Sequence, residues 1–286
     1  MNINTKGSSV DQYMQAYRLY MRGRQKMMLF DIAGYREAAA YFRQAIAVND
    51  NFGLAYAGLA ETCSYWGYRN ELNGQDSREY YALSYESARK ALEMAPESVE
   101  SHRAMAVALR RGSKSDPERR KKEVEYALEL NPNDAETCYE YWRAHGYKAD
   151  DPMIYKALSL NPFLCGAHND LGVVLSESGH FQDAQYHLQI ALEINPGHAL
   201  ARCNLGMAFF KQEQFEKAEA QFRKALEISP DEVKGHLGLS MIFAKRNLFE
   251  ETLTTLRQAQ ETIPDNPIIL RSLKVLGEEQ GVEACA

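Results

Sequence analysis

The sequence predicts an all-helical repeat array of about seven helix pairs closed by one further helix. Three observations predict it. Pro162, Pro196, Pro230 and Pro264 lie 34 residues apart in a chain with only nine prolines. Each ends a similar string: Ala157-Leu-Ser-Leu-Asn-Pro162, Ala191-Leu-Glu-Ile-Asn-Pro196, Ala225-Leu-Glu-Ile-Ser-Pro230 and Ala259-Gln-Glu-Thr-Ile-Pro264. Between these stops, small residues recur at the same period: Gly172, Gly206 and Ser240, then Ala184, Ala218 and Thr252.

The proline string has a direct physical reading. Proline cannot continue a helix and pushes the residue before it out of the helical region, while Asn or Ser suits the turn that follows. Each string therefore marks where one helix pair stops and the next begins. Three more copies lie upstream, ending at Pro132, Pro96 and, in degenerate form, Asp50. A small residue where two helices cross lets their axes approach, and the large residues Leu188, Phe222 and Leu256, also 34 apart, fill the adjacent groove. Gly179, between two helical patterns, reads as a turn.

These residues resemble the tetratricopeptide repeat, a pattern of L-G-x₂-Y, then A-x₃-F, then P over 34 positions. Units 165–198, 199–232 and 233–266 align with it without gaps. They depart from it where His168, Arg202 and His236 stand in place of Trp, where Leu175, Phe209 and Phe243 stand in place of Tyr, and at Thr252. The resemblance implies a right-handed α-α superhelix with a concave groove for peptides or partner helices.

The expected organisation is a disordered N-terminus at 1–10 and irregular units at 11–52, 53–98, 99–134 and 135–164. Regular units at 165–198, 199–232 and 233–266 follow, with a capping helix and tail at 267–286. The opening helix is expected over about 11–30; its string Ala16-Tyr-Arg-Leu-Tyr-Met-Arg-Gly-Arg24 is similar to the start of arrays attached to bacterial signalling proteins. Pro96 to Pro132 spans 36 residues, Pro132 to Pro162 only 30, and Asp50 to Pro96 spans 46. The surplus in the longest interval is assigned to a polar turn over 68–77. The short unit must have a truncated second helix near 151–160, with a local kink. The last helix begins at Pro267 and caps the array.

Composition bounds the function. Net charge is −6, which argues against a dedicated nucleic-acid binder. No apolar run is long enough to cross a bilayer, and residues 1–10 carry no signal-peptide core, so a cytoplasmic protein with reduced thiols is expected from its five scattered cysteines. The start Met1-Asn-Ile-Asn-Thr reads as that of a complete short protein. No nucleotide-binding, zinc-protease or nucleophile-elbow motif occurs. His102, His168 and His236 occupy equivalent places one repeat apart, too far from each other to share a metal. Catalytic residues, cofactor and metal are therefore all expected to be none.

A partner is expected in the groove formed by the first helix of each pair, as the family resemblance implies. Helical spacing then nominates Asn169, Asp170, Val173 and Glu177; Asn204, Met207, Phe210 and Lys211; and Lys234, Met241 and Lys245. This mixed apolar and cationic strip suits a protein or peptide with acidic groups. A second contact is possible in the first half. Sixteen of the 17 tyrosines and both tryptophans precede residue 165, and Tyr65 and Trp66 stand out there as either gap-fillers or hot spots. The basic run from Arg110 and Arg111 to Lys122 reads as a solvated turn, or as a contact for an acidic partner, with Asp116-Pro117 as a helix start. The functional expectation is a protein-interaction scaffold, the alternative being a module that regulates a signalling enzyme or transcription regulator. Self-association stays open.

Overall fold

A computed structural model describes residues 9–279. Among them are fifteen helices and no strand: α1 Ser9–Met27, α2 Ile32–Val48, α3 Gly53–Leu72, α4 Arg78–Met94, α5 Val99–Ala108, α6 Pro117–Leu130, α7 Ala135–Ala144, α8 Pro152–Leu160, α9 Cys165–Glu177, α10 Phe181–Ile194, α11 Ala199–Phe210, α12 Phe215–Ile228, α13 Val233–Lys245, α14 Phe249–Thr262 and α15 Pro267–Glu279. The architecture is an α-α solenoid. The expected disordered segment and the end of the tail, 1–8 and 280–286, lie outside the described residues. The chain divides into two compact units, 1–70 with 76–162, and 163–286 with the short segment 71–75.

The terminating string works as its chemistry requires. Asn131 Oδ1 accepts from the Asn133 N–H and Asn195 Oδ1 from the Gly197 N–H, both at 3.0 Å. These are Asx turns that release the chain from one helix and aim it into the next. The residue six places after the proline then closes the turn: His102 Nε2 and His236 Nε2 lie 2.8 Å from the Pro96 and Pro230 carbonyls, and Arg202 donates to the Pro196 carbonyl at 2.9 Å. Histidine recurs at that place because it ties off an otherwise orphaned carbonyl.

Packing follows one device in both units. Phe222, fully buried on α12, lies between Gly206 of α11 and Gly238 of α13; a Cβ at either glycine would meet its ring at 2.9 and 2.4 Å. Phe42 on α2 lies in the same way against Gly23 of α1 and Gly58 of α3. One aromatic ring thus fixes two helix crossings, and the glycines exist because nothing larger fits.

Two local expectations are met and a third is corrected. α8 is short, nine residues capped by Asp151, whose carboxylate accepts from the Met153 N–H at 2.9 Å. α6 begins with Asp116 as cap and Pro117 in its first turn. The turn expected over 68–77 is shorter than that: α3 continues through Leu72, so Tyr68 to Leu72 are helical. The Arg110 and Arg111 guanidinium groups stack on Tyr68, and Arg69 and Asn70 are buried, so tertiary packing carries the helix through a polar stretch.

Candidate partner-binding surface

In the unit formed by 163–286, first helices of successive pairs touch one another, α9 to α11 and α11 to α13. Their shared face carries the residues nominated from the sequence. Asn204 Nδ2 donates to Asn169 Oδ1 at 2.7 Å, and Lys234 Nζ donates to Asn204 Oδ1 at 2.5 Å. A polar rail therefore runs across three helices through residues 35 and 30 positions apart. Asn169 also donates to Asp170 at 3.0 Å. Asn169 and Asn204 are buried. Burial holds the Lys234 ammonium below the usual lysine range, against the opposing pull of Glu232 and Glu177.

Val173, Met207 and Met241 are equivalent positions on α9, α11 and α13. Val173 and Met207 are half-buried and Met241 is exposed. Glu177, Lys211 and Lys245 form the next equivalent set, and all three are exposed. Phe210 is half-buried and its ring packs on Phe215 at 5.6 Å, so it braces the pair α11–α12. The strip thus has a satisfied polar floor, an apolar middle and a charged edge.

The unit formed by 1–70 and 76–162 presents a different inner face. Arg103 on α5 pairs with Glu61 of α3 at 2.9 Å, with Asp134 at 2.9 Å and with Glu136 of α7 at 2.8 Å. Arg24 of α1 pairs with the same Glu61 at 3.2 Å and with Glu136. Burial pushes Glu61 up, while at Glu136 the two arginines outweigh burial and hold the carboxyl below its ordinary value. A second cluster joins Arg120 and Arg143 through Glu140. No pattern in the sequence announced this network.

The aromatic residues divide between filling and facing. Trp142 is fully buried, its indole N–H donating to the Lys148 carbonyl at 2.7 Å. Trp66 packs on Tyr80 with ring centroids 4.6 Å apart. Tyr65 lies under the guanidinium groups of Arg110 and Arg143, 5.7 and 5.8 Å away. Tyr65 and Arg110 are thus brought together, Arg111 joins them only through Tyr68, which Arg110 also covers, and Trp66 belongs to another contact.

The sequence also did not nominate an open groove of 620 Å³ beside α12, α13 and α14, lined by Arg223, His236, Phe243 and Glu250 among others. Among the described residues no group of three or more His, Cys, Asp or Glu is placed to hold a metal, and no helix is long and apolar enough to cross a membrane. Cys63, Cys138, Cys165 and Cys203 are buried free thiols.

Residues 199–232 match the family model of the tetratricopeptide repeat. No curated protein matches the sequence. Among solved structures, the chain is similar to one of the Cut9–Hcn1 hetero-tetramer of the APC/C, at 16% identity and a TM-score of 0.62, covering 94% of this chain and 56% of that one. Human IFIT1, solved as a dimer with PPP-AAAA, is similar at 18% identity and a TM-score of 0.67, covering 86% and 60%. Yeast Tom70 is similar at 15% identity and a TM-score of 0.57, covering 99% and 67%. The chain thus spans little more than half the length of the first two. The segment 199–232 thus carries the tetratricopeptide repeat by sequence, and the helices as a whole share the fold of these structures.

Proposed function

We propose that the chain is a non-enzymatic interaction scaffold that takes a peptide or partner segment with acidic and apolar groups along α9, α11 and α13. The observation that carries this reading is the rail of Asn169, Asn204 and Lys234. It aligns three helices edge to edge and sets Met207 and Met241 beside the exposed cations Lys211 and Lys245. The half-buried Lys234, its proton affinity lowered, gains from an incoming carboxylate, because partly desolvated surroundings strengthen the pair. The methionines supply an apolar surface that adapts to side chains of different shape.

The test is selection from an unbiased peptide library by the full chain and by a Lys211→Glu/Lys245→Glu variant. Both substituted side chains are exposed, so the fold is expected to survive. The wild type should enrich sequences with alternating acidic and apolar residues, and the variant should lose that enrichment. Identical enriched sequences from both proteins would contradict the assignment.

A further inference from the structure

α1 stands apart in what it exposes. It has 19 residues, nearly as long as α3 with 20 and longer than α9, α11 and α13 with 13, 12 and 13. Val10, Met14, Tyr17 and Met21 are all exposed, with fractional exposures of 66, 46, 39 and 44%. Their spacing of four, three and four residues keeps them on a single stripe in heptad phase. The opposite side of the helix is already used: Ala16, Tyr20, Gly23 and Met27 are buried. Arg18 and Arg22 are exposed and border the stripe. The other cations of the helix are engaged, Arg24 with Glu61 and Glu136, and Lys26 with Glu37.

We propose that this stripe is a docking face for an amphipathic helix of a partner protein whose apolar seam is flanked by acidic residues. Length and phase argue for a helix. The stripe runs for about 17 Å at the α-helical rise, and a heptad seam is complementary to another helix and out of step with an extended strand. Methionine and tyrosine give such a seam a broad, adaptable surface. Charge argues for acidity, because Arg18 and Arg22 stand beside the seam where flanking residues of a partner helix would meet them. Charge also argues against a second copy: the residues bordering the seam are Arg18 and Arg22, so self-pairing would set like charges together. This site is separate from the strip on α9, α11 and α13 and stands or falls independently of it.

Two fluorescent peptides of about 21 residues, three heptads, test the proposal on the full chain. Both carry leucine at the seam positions; one is flanked by glutamate and the other by lysine. The glutamate peptide should bind at low salt, and the lysine peptide about tenfold more weakly or not at all. Met14→Glu/Met21→Glu should weaken the glutamate peptide by about tenfold, and Arg18→Glu/Arg22→Glu should weaken it and remove its salt dependence. Lys211→Glu/Lys245→Glu should leave it unchanged, and unchanged thermal melting should accompany every variant. Equal binding of the two peptides, or equal binding by wild type and Met14→Glu/Met21→Glu, would overturn the proposal. So would preferential, Met14- and Met21-dependent binding to phosphatidylserine vesicles, which assigns the stripe to a lipid surface. A wild-type dimer that Met14→Glu/Met21→Glu converts to monomer would assign it to a second copy instead.

Discussion

The inner faces of the two units are built from the same helices of the same repeat, yet they spend their polar groups differently. On α3, α5 and α7, Glu61, Arg103 and Glu136 satisfy one another, and Arg24 of α1 joins them, so charges present on that face are already neutralised by the chain itself. On α9, α11 and α13, neutral amides do the linking, and the cations Lys211 and Lys245 stay exposed at the edge. A buried ion-pair network closes a surface, since removing one member strands the others. An amide rail aligns helices and leaves charge available for a partner. The difference separates a face that holds the solenoid together from one suited to recognition.

The largest effect should come from breaking the closed face. Glu61→Ala leaves Arg103 and Arg24 short of a shared carboxylate and should cost about 3–5 kcal/mol, read from urea denaturation. A midpoint unchanged from wild type would show that the network contributes nothing.

Next comes the packing device that the two units share. Gly238→Ala puts a methyl group against the Phe222 ring and should cost about 1–3 kcal/mol. Gly58→Ala against Phe42 should behave alike; a large effect at one site and none at the other would mean that the units are not packed by the same rule.

Smaller is an effect of pH on the open unit. His187 lies with its Nδ1 3.0 Å from His168 Nδ1, and burial, reinforced by His168, lowers its pKa to about 4 against the weak opposing pull of Asp183. The unfolded chain binds a proton on this group near pH 6.5 and the folded chain does not until about pH 4. Stability from this group is therefore complete above about pH 6.5 and is lost as pH falls toward 4. His187→Gln should flatten the melting temperature over that window, and an unaltered pH profile would remove His187 from the account. The smallest effect belongs to Lys211→Glu/Lys245→Glu, expected to change stability by no more than about 0.5 kcal/mol. A larger loss would mean that these lysines are structural after all.

Much of the fold is legible in the sequence because each unit repeats its own local physics. Asn195-Pro196 ends a helix wherever it occurs, Asp116-Pro117 starts one, and Gly206 and Gly238 mark a close crossing without reference to distant residues. Three of the nominated groove residues, Asn169, Asn204 and Lys234, meet in space because the repeat sets their helices side by side, although at separations of 35 and 30 they are not equivalent positions. The ion-pair network was not legible, for the converse reason. Arg24, Glu61 and Glu136 are separated by 37 and 75 residues, across intervals of irregular length that hide which positions face each other. Tyr68 to Leu72 read as a turn because their polarity is local, while the arginine stacking that keeps them helical is not. The exposed stripe of α1 was also hidden, since methionine and tyrosine at helical spacing look like core until the structure shows which side is covered.

The most direct measurement is methyl NMR of the methionines, with the peptide selected from the library titrated into the full chain. Binding along α9, α11 and α13 predicts shifts of the Met207 and Met241 methyl signals and none for the buried Met105. Shifts confined to methionines of α1, with Met207 and Met241 unmoved, would contradict the placement of the partner on the open face.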